Sequence, residues 1–489
     1  MYQLQMKTAY LLYVAGLSLL SFTSCESDWL NIDPSTSVNT DKALTTEKDA
    51  QIALNGLYRV MSLHGYYSDN YIYYGEAKGQ DMQCRENATS NRGYSYYTFS
   101  DRPSDALTTL TWQQPYNVIR QANNIVNHID EGKVTTGDPK EIARIKAEAQ
   151  AVRGLALFDL TRLYGRPYTE NNGASLGVPI VLKAEGPDYT PSRNTVAECY
   201  TQAVKDLTEA LPHLRNEKVN GNLNSWAVKA LLSRIYLYMG DNANALKMAE
   251  EVINGGLYTL WSHEEYASMW GKDFTSESIF ELLFTLDEPS GGTGGEGVPM
   301  VYSQDGYNAL ILTKEYLDML ESDPKDVRIQ FTAYEKDSEG KPITSAPRKY
   351  LVKYPGKTLT DPRDNNICLI RLSELYLTAA ETTFKQGDRA KALNYLNKIV
   401  SRANPEKQVS DGELSLDRIL LERRKELVGE GHAFFDLVRY GKSIVRKGGW
   451  QLQLGSQQEV IQPNEDRLIL PIPQAEMDAN PNMVQNPGF

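Results

Sequence analysis

Two parts of the chain, 147 residues apart, carry the same helix–turn–helix pattern. In each, apolar residues recur at helical spacing on both sides of a Gly-Asp pair, Gly240-Asp241 in the first and Gly387-Asp388 in the second. Glycine readily ends a helix, and aspartate caps the start of the next one. Repeated helix pairs of this kind are typical of tetratricopeptide-like folds, because one pair alone cannot bury its apolar face.

Helical periodicity extends over most of the rest of the chain. Further helices are predicted at 44–63, 105–130, 139–164, 194–212, 314–321 and 414–441. Short strands are predicted at 278–285 and 349–354. Long irregular segments are predicted at 65–103, 165–193, 286–312 and 442–489, and loops of that length usually carry function. The sequence therefore predicts a mainly α fold of helix pairs, with an irregular, loop-rich half and a few short strands.

The N-terminus has the pattern of an export signal. Residues 9–22 are apolar but too few to span a bilayer as a helix, which fits the core of a signal peptide. Phe22-Thr23-Ser24-Cys25 follows and resembles a bacterial lipobox, in which Cys25 would be lipidated. Ordinary secretion with cleavage nearby is the alternative. We predict a lipoprotein signal peptide at 1–24 and one body at 25–489, since no Pro/Ser-rich spacer divides it.

Charge and cysteine spacing argue against several classes of function. The net charge is −12 and no basic block stands out, which disfavours nucleic-acid binding. Apart from Cys25, three widely spaced cysteines remain, so neither a disulfide framework nor a metal pattern is expected. No two of the five histidines stand at a ligand spacing such as i, i+4. We expect neither a metal nor a cofactor.

The clustering of tyrosines predicts a binding surface. The chain has 30 tyrosines, and eight of them fall within residues 66–97 among Asp, Asn, Gln and Arg side chains. Aromatic faces stack on the apolar face of a sugar ring, and planar polar groups pair with its hydroxyls; a peptide backbone would also suit this mixture. The alternative is that several of these rings are packed beneath the loop, with Tyr71, Tyr73 and Tyr74 alternating along a strand.

A second region, 261–312, adds aromatic residues around a Gly-rich loop. The ligand-contacting residues predicted from both regions are Tyr67, Tyr73, Asp81, Arg85, Arg92, Tyr94, Tyr96, Trp270, Tyr302 and Tyr307.

Clustered acids raise the question of catalysis. Glu422, Glu426 and Glu430 stand four residues apart among arginines, which favours a structural ion-pair network over an acid/base site. Acids such as Asp69 and Asp81 lie among the aromatic residues, so a glycoside hydrolase stays open as a rival.

Several long segments resemble one family. The stretch 422–442, ERRKELVGEGHAFFDLVRYGK, resembles a hallmark of the SusD/RagB lipoproteins of Bacteroidetes, and 470–489, LPIPQAEMDANPNMVQNPGF, resembles their closing motif. Segments 148–165, 371–381 and 25–34 match as well. Glu26 and Asp28, directly after Cys25, resemble the surface-export signal of such lipoproteins.

The resemblance implies a lipid-anchored protein on the outer face of the outer membrane. Such proteins have four tetratricopeptide-like pairs and cap a SusC-like TonB-dependent transporter. They are not enzymes: they bind an oligosaccharide, or in some members a peptide, and pass it inward. Their ligand-binding aromatic residues come from loops in broadly the two regions named above. From the resemblance we predict a glycan-binding lipoprotein, with an oligopeptide-binding protein as the nearer alternative.

Overall fold

The computed structural model describes residues 44–85, 92–186, 188–292, 297–344, 349–358, 361–448 and 458–489. The predicted signal peptide, 1–24, and Cys25 lie outside the described residues. The helices of the described part are α1 (Glu47–Met61), α2 (Asn70–Ala77), α3 (Tyr94–Thr98), α4 (Ala106–Asp130), α5 (Pro139–Tyr164), α6 (Tyr168–Asn171), α7 (Val196–Ala210), α8 (Ser225–Met239), α9 (Asn242–Gly255), α10 (Tyr266–Met269), α11 (Val298–Tyr302), α12 (Lys314–Glu321), α13 (Leu372–Lys385), α14 (Arg389–Ala403), α15 (Leu416–Leu427), α16 (Ala433–Arg439) and α17 (Gln474–Ala479). The strands are β1 (Met82–Cys84), β2 (Ser278–Leu282), β3 (Leu310–Leu312), β4 (Thr332–Tyr334), β5 (Lys349–Leu351), β6 (Ile367–Arg371), β7 (Ile444–Val445) and β8 (Val460–Ile461).

Eight of the helices form four packed pairs, α1 with α4, α5 with α7, α8 with α9, and α13 with α14. Neighbouring pairs also contact each other, through α4 and α5, α7 and α8, and α9 and α13. Each pair therefore covers the apolar face of the next, as stacked helical repeats must. The prediction of a mainly helical fold built from tetratricopeptide-like pairs is confirmed.

The two Gly-Asp turns have the structure that the repeat predicts. Gly240 and Gly387 adopt φ of +77° and +89° directly before the second helix of each pair. Asp241 and Asp388 each accept a hydrogen bond from the backbone N–H three residues later, both at 3.1 Å. These side chains satisfy one of the free donors at the helix start.

The strands form four two-stranded antiparallel sheets, β1–β3, β2–β6, β4–β5 and β7–β8. The strands predicted at 278–285 and 349–354 are confirmed as the shorter β2 and β5. In the first sheet Met82 lies opposite Leu312 and Cys84 opposite Leu310. This pairing brings the tyrosine-rich segment beside the second predicted binding region.

The segment 414–441, predicted to be helical, forms two helices rather than one. α15 ends at Leu427 and α16 begins at Ala433, because Gly429 and Gly431 adopt φ of +81° and +83° between them. Helical backbone has negative φ, and glycine reaches positive φ without steric cost. α16 then packs against α2, which places the hallmark segment beside the tyrosines.

Candidate functional site

Three of the clustered tyrosines converge on one buried carboxylate. Tyr66 and Tyr71 each donate a hydrogen bond to Asp159 at 2.7 Å, and Tyr67 donates to the same group. The rings of Tyr66 and Tyr67 are stacked with centroids 4.1 Å apart. A buried phenol needs a partner for its hydroxyl, and Asp159 supplies one for all three. These rings therefore stabilise the core.

The segment that carries Tyr71, Tyr73 and Tyr74 is a helix, not the predicted strand, and all eight residues of α2 are buried. Asp69 begins it by accepting a hydrogen bond from the Asn70 N–H at 2.6 Å. α2 packs against α3, α4, α16 and β1, so each of its faces is covered. Alternating exposure along this segment was therefore a wrong prediction.

The residues predicted to contact a ligand differ in burial. Six of the ten residues are at most 7% exposed, namely Tyr67, Tyr73, Asp81, Tyr96, Trp270 and Tyr302. Trp270, for example, lies edge-on to Trp261 and Tyr266, with ring centroids 5.2 and 6.0 Å away. Tyr96 shares a 2.8 Å hydrogen bond with the hydroxyl of Thr111. Such rings offer no open face for stacking on a sugar.

Two polar residues that were predicted to contact a ligand, Asp81 and Arg85, form ion pairs within the protein. Both carboxylate oxygens of Asp81 accept from Arg424 Nε, at 3.2 and 3.1 Å, which joins β1 to the hallmark helix α15. Arg85 lies 3.0 Å from Glu335, and Asn308 donates to the same carboxylate at 2.9 Å. Glu335 thus links Arg85 of the first loop region to Asn308 of the second.

A polar cavity of about 750 Å³ lies between the N-terminal ends of α2 and α3 and the loop before α4. Its lining includes the predicted contact residues Tyr73, Arg92 and Tyr94. Hydroxyl groups and charged side chains also face it, from Ser95, Ser100, Arg102, Ser104 and Asp105. Its volume falls within the range of small-molecule sites, and its polar lining suits a ligand rich in hydroxyl groups.

Gly93 sets the shape of this cavity. It adopts φ +60°, and a Cβ here would overlap the ring of Tyr73, with Cε1 as the nearest atom. The Tyr73 hydroxyl in turn donates to the carbonyl of Arg92 at 2.7 Å. A buried ring therefore supports the backbone that carries Arg92 and Tyr94.

Arg92 and Tyr94 provide the planar groups of the cavity wall. The Arg92 guanidinium lies over the ring of Tyr307, 3.7 Å from its centroid, and Tyr94 begins α3 with its ring partly exposed. A guanidinium stacked on an aromatic ring is held in a fixed plane. This geometry suits recognition of paired hydroxyls or of a carboxylate.

The two carboxylates that line the cavity are already engaged. Asp69 lies 2.6 Å from His64 Nδ1 and accepts from the Gly65 N–H at 3.3 Å. Burial raises the pKa of Asp69, against the opposing effect of His64. Asp105 accepts from the Arg102 backbone and side chain, at 2.9 and 3.0 Å. Both groups order the loop that they belong to.

The acids of the hallmark segment form an ion-pair network, as the sequence favours. Glu422, Glu426 and Glu430 are buried or nearly so. The Glu426 carboxylate lies 2.7, 3.0 and 3.4 Å from the guanidinium groups of Arg402, Arg371 and Arg328. Burial opposes ionisation of Glu426, yet these arginines hold its pKa well below the usual range. The network joins α14, α15 and β6.

Over the described ranges, no cluster of three His, Cys, Asp or Glu side chains could hold a metal ion. Cys84 and Cys199 are buried thiols, while Cys368 is partly exposed. None of the described helices combines the length and apolarity needed to cross a bilayer.

Comparison with known proteins gives matches over nearly the whole chain. Residues 234–489 match the model of the SusD family, and residues 28–237 match a model described as "Starch-binding associating with outer membrane". "SusD-like protein P38" of Formosa agariphila is 22% identical over 98% of this chain and 99% of its own length. "Starch-binding protein SusD" of Bacteroides thetaiotaomicron is 32% identical over a shorter region, 31% of this chain and 24% of that protein.

Solved structures agree in fold. A SusD superfamily protein from Bacteroides thetaiotaomicron is 50% identical, with a TM-score of 0.86 over 91% of this chain and 100% of that one. A laminarin-binding SusD-like protein is 26% identical, with a TM-score of 0.71 over 91% of this chain and 100% of that one. Both solved structures thus share the fold over about nine-tenths of the chain. The chain belongs to the SusD family.

Proposed function

We propose that this protein is a cell-surface lipoprotein that captures oligosaccharides in the polar cavity and delivers them to a SusC-like TonB-dependent transporter. The observation that carries the proposal is the cavity wall, in which the Arg92 guanidinium and the partly exposed Tyr94 stand among hydroxyl groups. A sugar ring needs a flat aromatic face and planar hydrogen-bonding groups, and both are present here.

The names of relatives support a glycan as the ligand. One similar protein is called starch-binding and another laminarin-binding, so glucans are the first class to test. Few open aromatic faces line the cavity, and each adds about 1 kcal/mol. The resulting affinity is modest, which suits a protein that must release its ligand to a partner.

Lipidation of Cys25 would hold the body at the outer membrane. One of the matching family models describes association with that membrane. Delivery to a transporter rests on membership of the family, and the division into a leader, 1–24, and a single body, 25–489, stays a prediction.

The nearer alternative is an oligopeptide. The Arg92 guanidinium would then pair with a carboxylate of the peptide, which the same stacked geometry allows. A glycoside hydrolase is less well supported. Its two carboxylates would have to face the substrate across the cleft, whereas Asp69 and Asp105 hold their own loop.

The test is calorimetric titration of the mature protein with a panel of glycans and oligopeptides, each mixture being assayed afterwards for cleavage. Binding of one glycan class without cleavage is the expected result. Binding of peptides alone would support the alternative, and cleavage products would contradict a purely binding role.

A further inference from the structure

A second groove lies further along helix α4. It encloses about 350 Å³ between α4, residues 179–181 and 189–191, and the C-terminal helix α17. Tyr189, with 44% of its surface exposed, and the partly buried Tyr116 both line it. None of the binding residues predicted from the sequence lies in it.

The groove is built before any ligand arrives. The Tyr116 hydroxyl donates to the Pro179 carbonyl at 2.9 Å, and Asn123 donates to the Val181 carbonyl at 2.9 Å. On the other side, Asn480 donates to the Pro191 carbonyl at 2.9 Å. These side chains fix both walls, so binding costs little ordering of the backbone.

Planar polar groups complete the lining. Gln113, Asn117 and Arg120 come from successive turns of α4, and Arg120 donates to Asn117 Oδ1 at 3.2 Å. Glu476 faces them from α17. An exposed aromatic face beside amide, guanidinium and carboxylate groups is the chemistry that recognises the hydroxyls and the apolar face of a sugar.

The groove and the polar cavity share one face of α4. Ala106 lines the cavity, and Gln113, Asn117 and Arg120 follow it by 7, 11 and 14 positions, all within about 40° of the same direction around the helix. At 1.5 Å per residue, Ala106 and Arg120 are about 21 Å apart along the axis. Ala106, Gln113 and Arg120 are exposed, and Thr109 and Leu110 between them are partly exposed.

We propose that the groove of Tyr116, Tyr189 and Arg120 is a second subsite for a neutral glucan, and that one long oligomer occupies it and the polar cavity together. The inference rests on the proposed glycan-binding function. Two weak subsites on one chain act together, because binding at the first raises the effective concentration of the sugar at the second. The protein would thereby favour long oligomers over short ones.

The test is calorimetric titration of the mature protein with trisaccharides and decasaccharides of the malto- and laminari- series. The wild-type protein should bind a decasaccharide of one series more tightly than the matching trisaccharide. Tyr189→Ala and Arg120→Ala should each weaken decasaccharide binding by about three- to tenfold and leave trisaccharide binding unchanged. Leu257→Ala and Lys247→Ala, two exposed positions away from the groove, should change neither.

Equal affinity for both lengths, or groove variants that bind the decasaccharide as the wild type does, would overturn the second subsite and leave the proposed function intact. Groove variants that weaken the trisaccharide equally would overturn it too. If the wild-type protein bound neither series, the assignment of a neutral glucan would fail at both sites. If it also bound none of the wider glycan panel, the proposed function itself would fail.

Discussion

Replacing Gly93 by alanine should damage both the stability of the protein and its binding site. Gly93 adopts φ +60°, and an alanine Cβ there would meet the Tyr73 ring well inside van der Waals contact. A left-handed backbone costs a non-glycine residue about 1 to 2 kcal/mol. Forcing the buried ring aside costs about 1 to 3 kcal/mol more. We therefore expect Gly93→Ala to lower the free energy of unfolding by about 2 to 5 kcal/mol.

The binding effect follows from the same contact. Tyr73 holds the Arg92 carbonyl, so moving the ring shifts the two residues on either side of Gly93, both of which line the cavity. Glycan affinity should fall by about tenfold or more, since misplacing two contacts costs over 1.4 kcal/mol. Denaturant unfolding and calorimetric titration measure the two effects.

Gly132→Ala is the matched control. Gly132 has a similar φ of +68° but no heavy atom within 4 Å of the added Cβ. It should lose only the backbone contribution, about 1 to 2 kcal/mol, and keep normal binding. If Gly93→Ala proved as stable as Gly132→Ala and bound equally well, the account of how the cavity wall is supported would be refuted.

Three further predictions follow from the geometry. Tyr94→Ala should weaken glycan binding about three- to tenfold while Tyr94→Phe keeps most of it, because stacking needs the ring; titration of both variants tests this. Asp159→Asn should lower the free energy of unfolding by about 3 kcal/mol, because the buried carboxylate serves three phenols, whereas the exposed Asp318→Asn should change it little; chemical denaturation compares them. Burial raises the pKa of Glu76 to about 7, above its usual 4.5, so its stabilising effect is complete below pH 4.5 and is lost as pH rises through 7. Glu76→Gln should therefore gain stability relative to the wild type between pH 5 and pH 8, by up to about 3 kcal/mol, and an unchanged difference across this range would contradict it.

The helix pairs could be predicted because their signals are local. Apolar spacing, a helix-ending glycine and a capping aspartate all lie within a few residues of each other, and the structure has Asp241 and Asp388 in those roles. The predicted helix ends lie within a few residues of the observed ends for the same reason. The break at Gly429 and Gly431 was harder, because a glycine inside a helical pattern is tolerated as often as it ends the helix.

The same local reasoning could not show whether the clustered tyrosines lie in the core or on a binding surface. Tyr66, Tyr67 and Tyr71 lie about 90 positions from Asp159, the residue that receives their hydrogen bonds, and nothing local reports that pairing. An amphipathic ring serves equally well in a core with a partner for its hydroxyl and on a binding surface. The groove beside Tyr189 was missed because its walls come from three distant segments.

We expect a glycan to bind in the cavity beside Tyr94. The most direct test is the structure of the protein co-crystallised with the glycan that titration identifies. A sugar ring should lie against Tyr94, with the Arg92 guanidinium within hydrogen-bond distance of its hydroxyls. An empty cavity, with the same glycan bound at saturation elsewhere on the molecule, would contradict it.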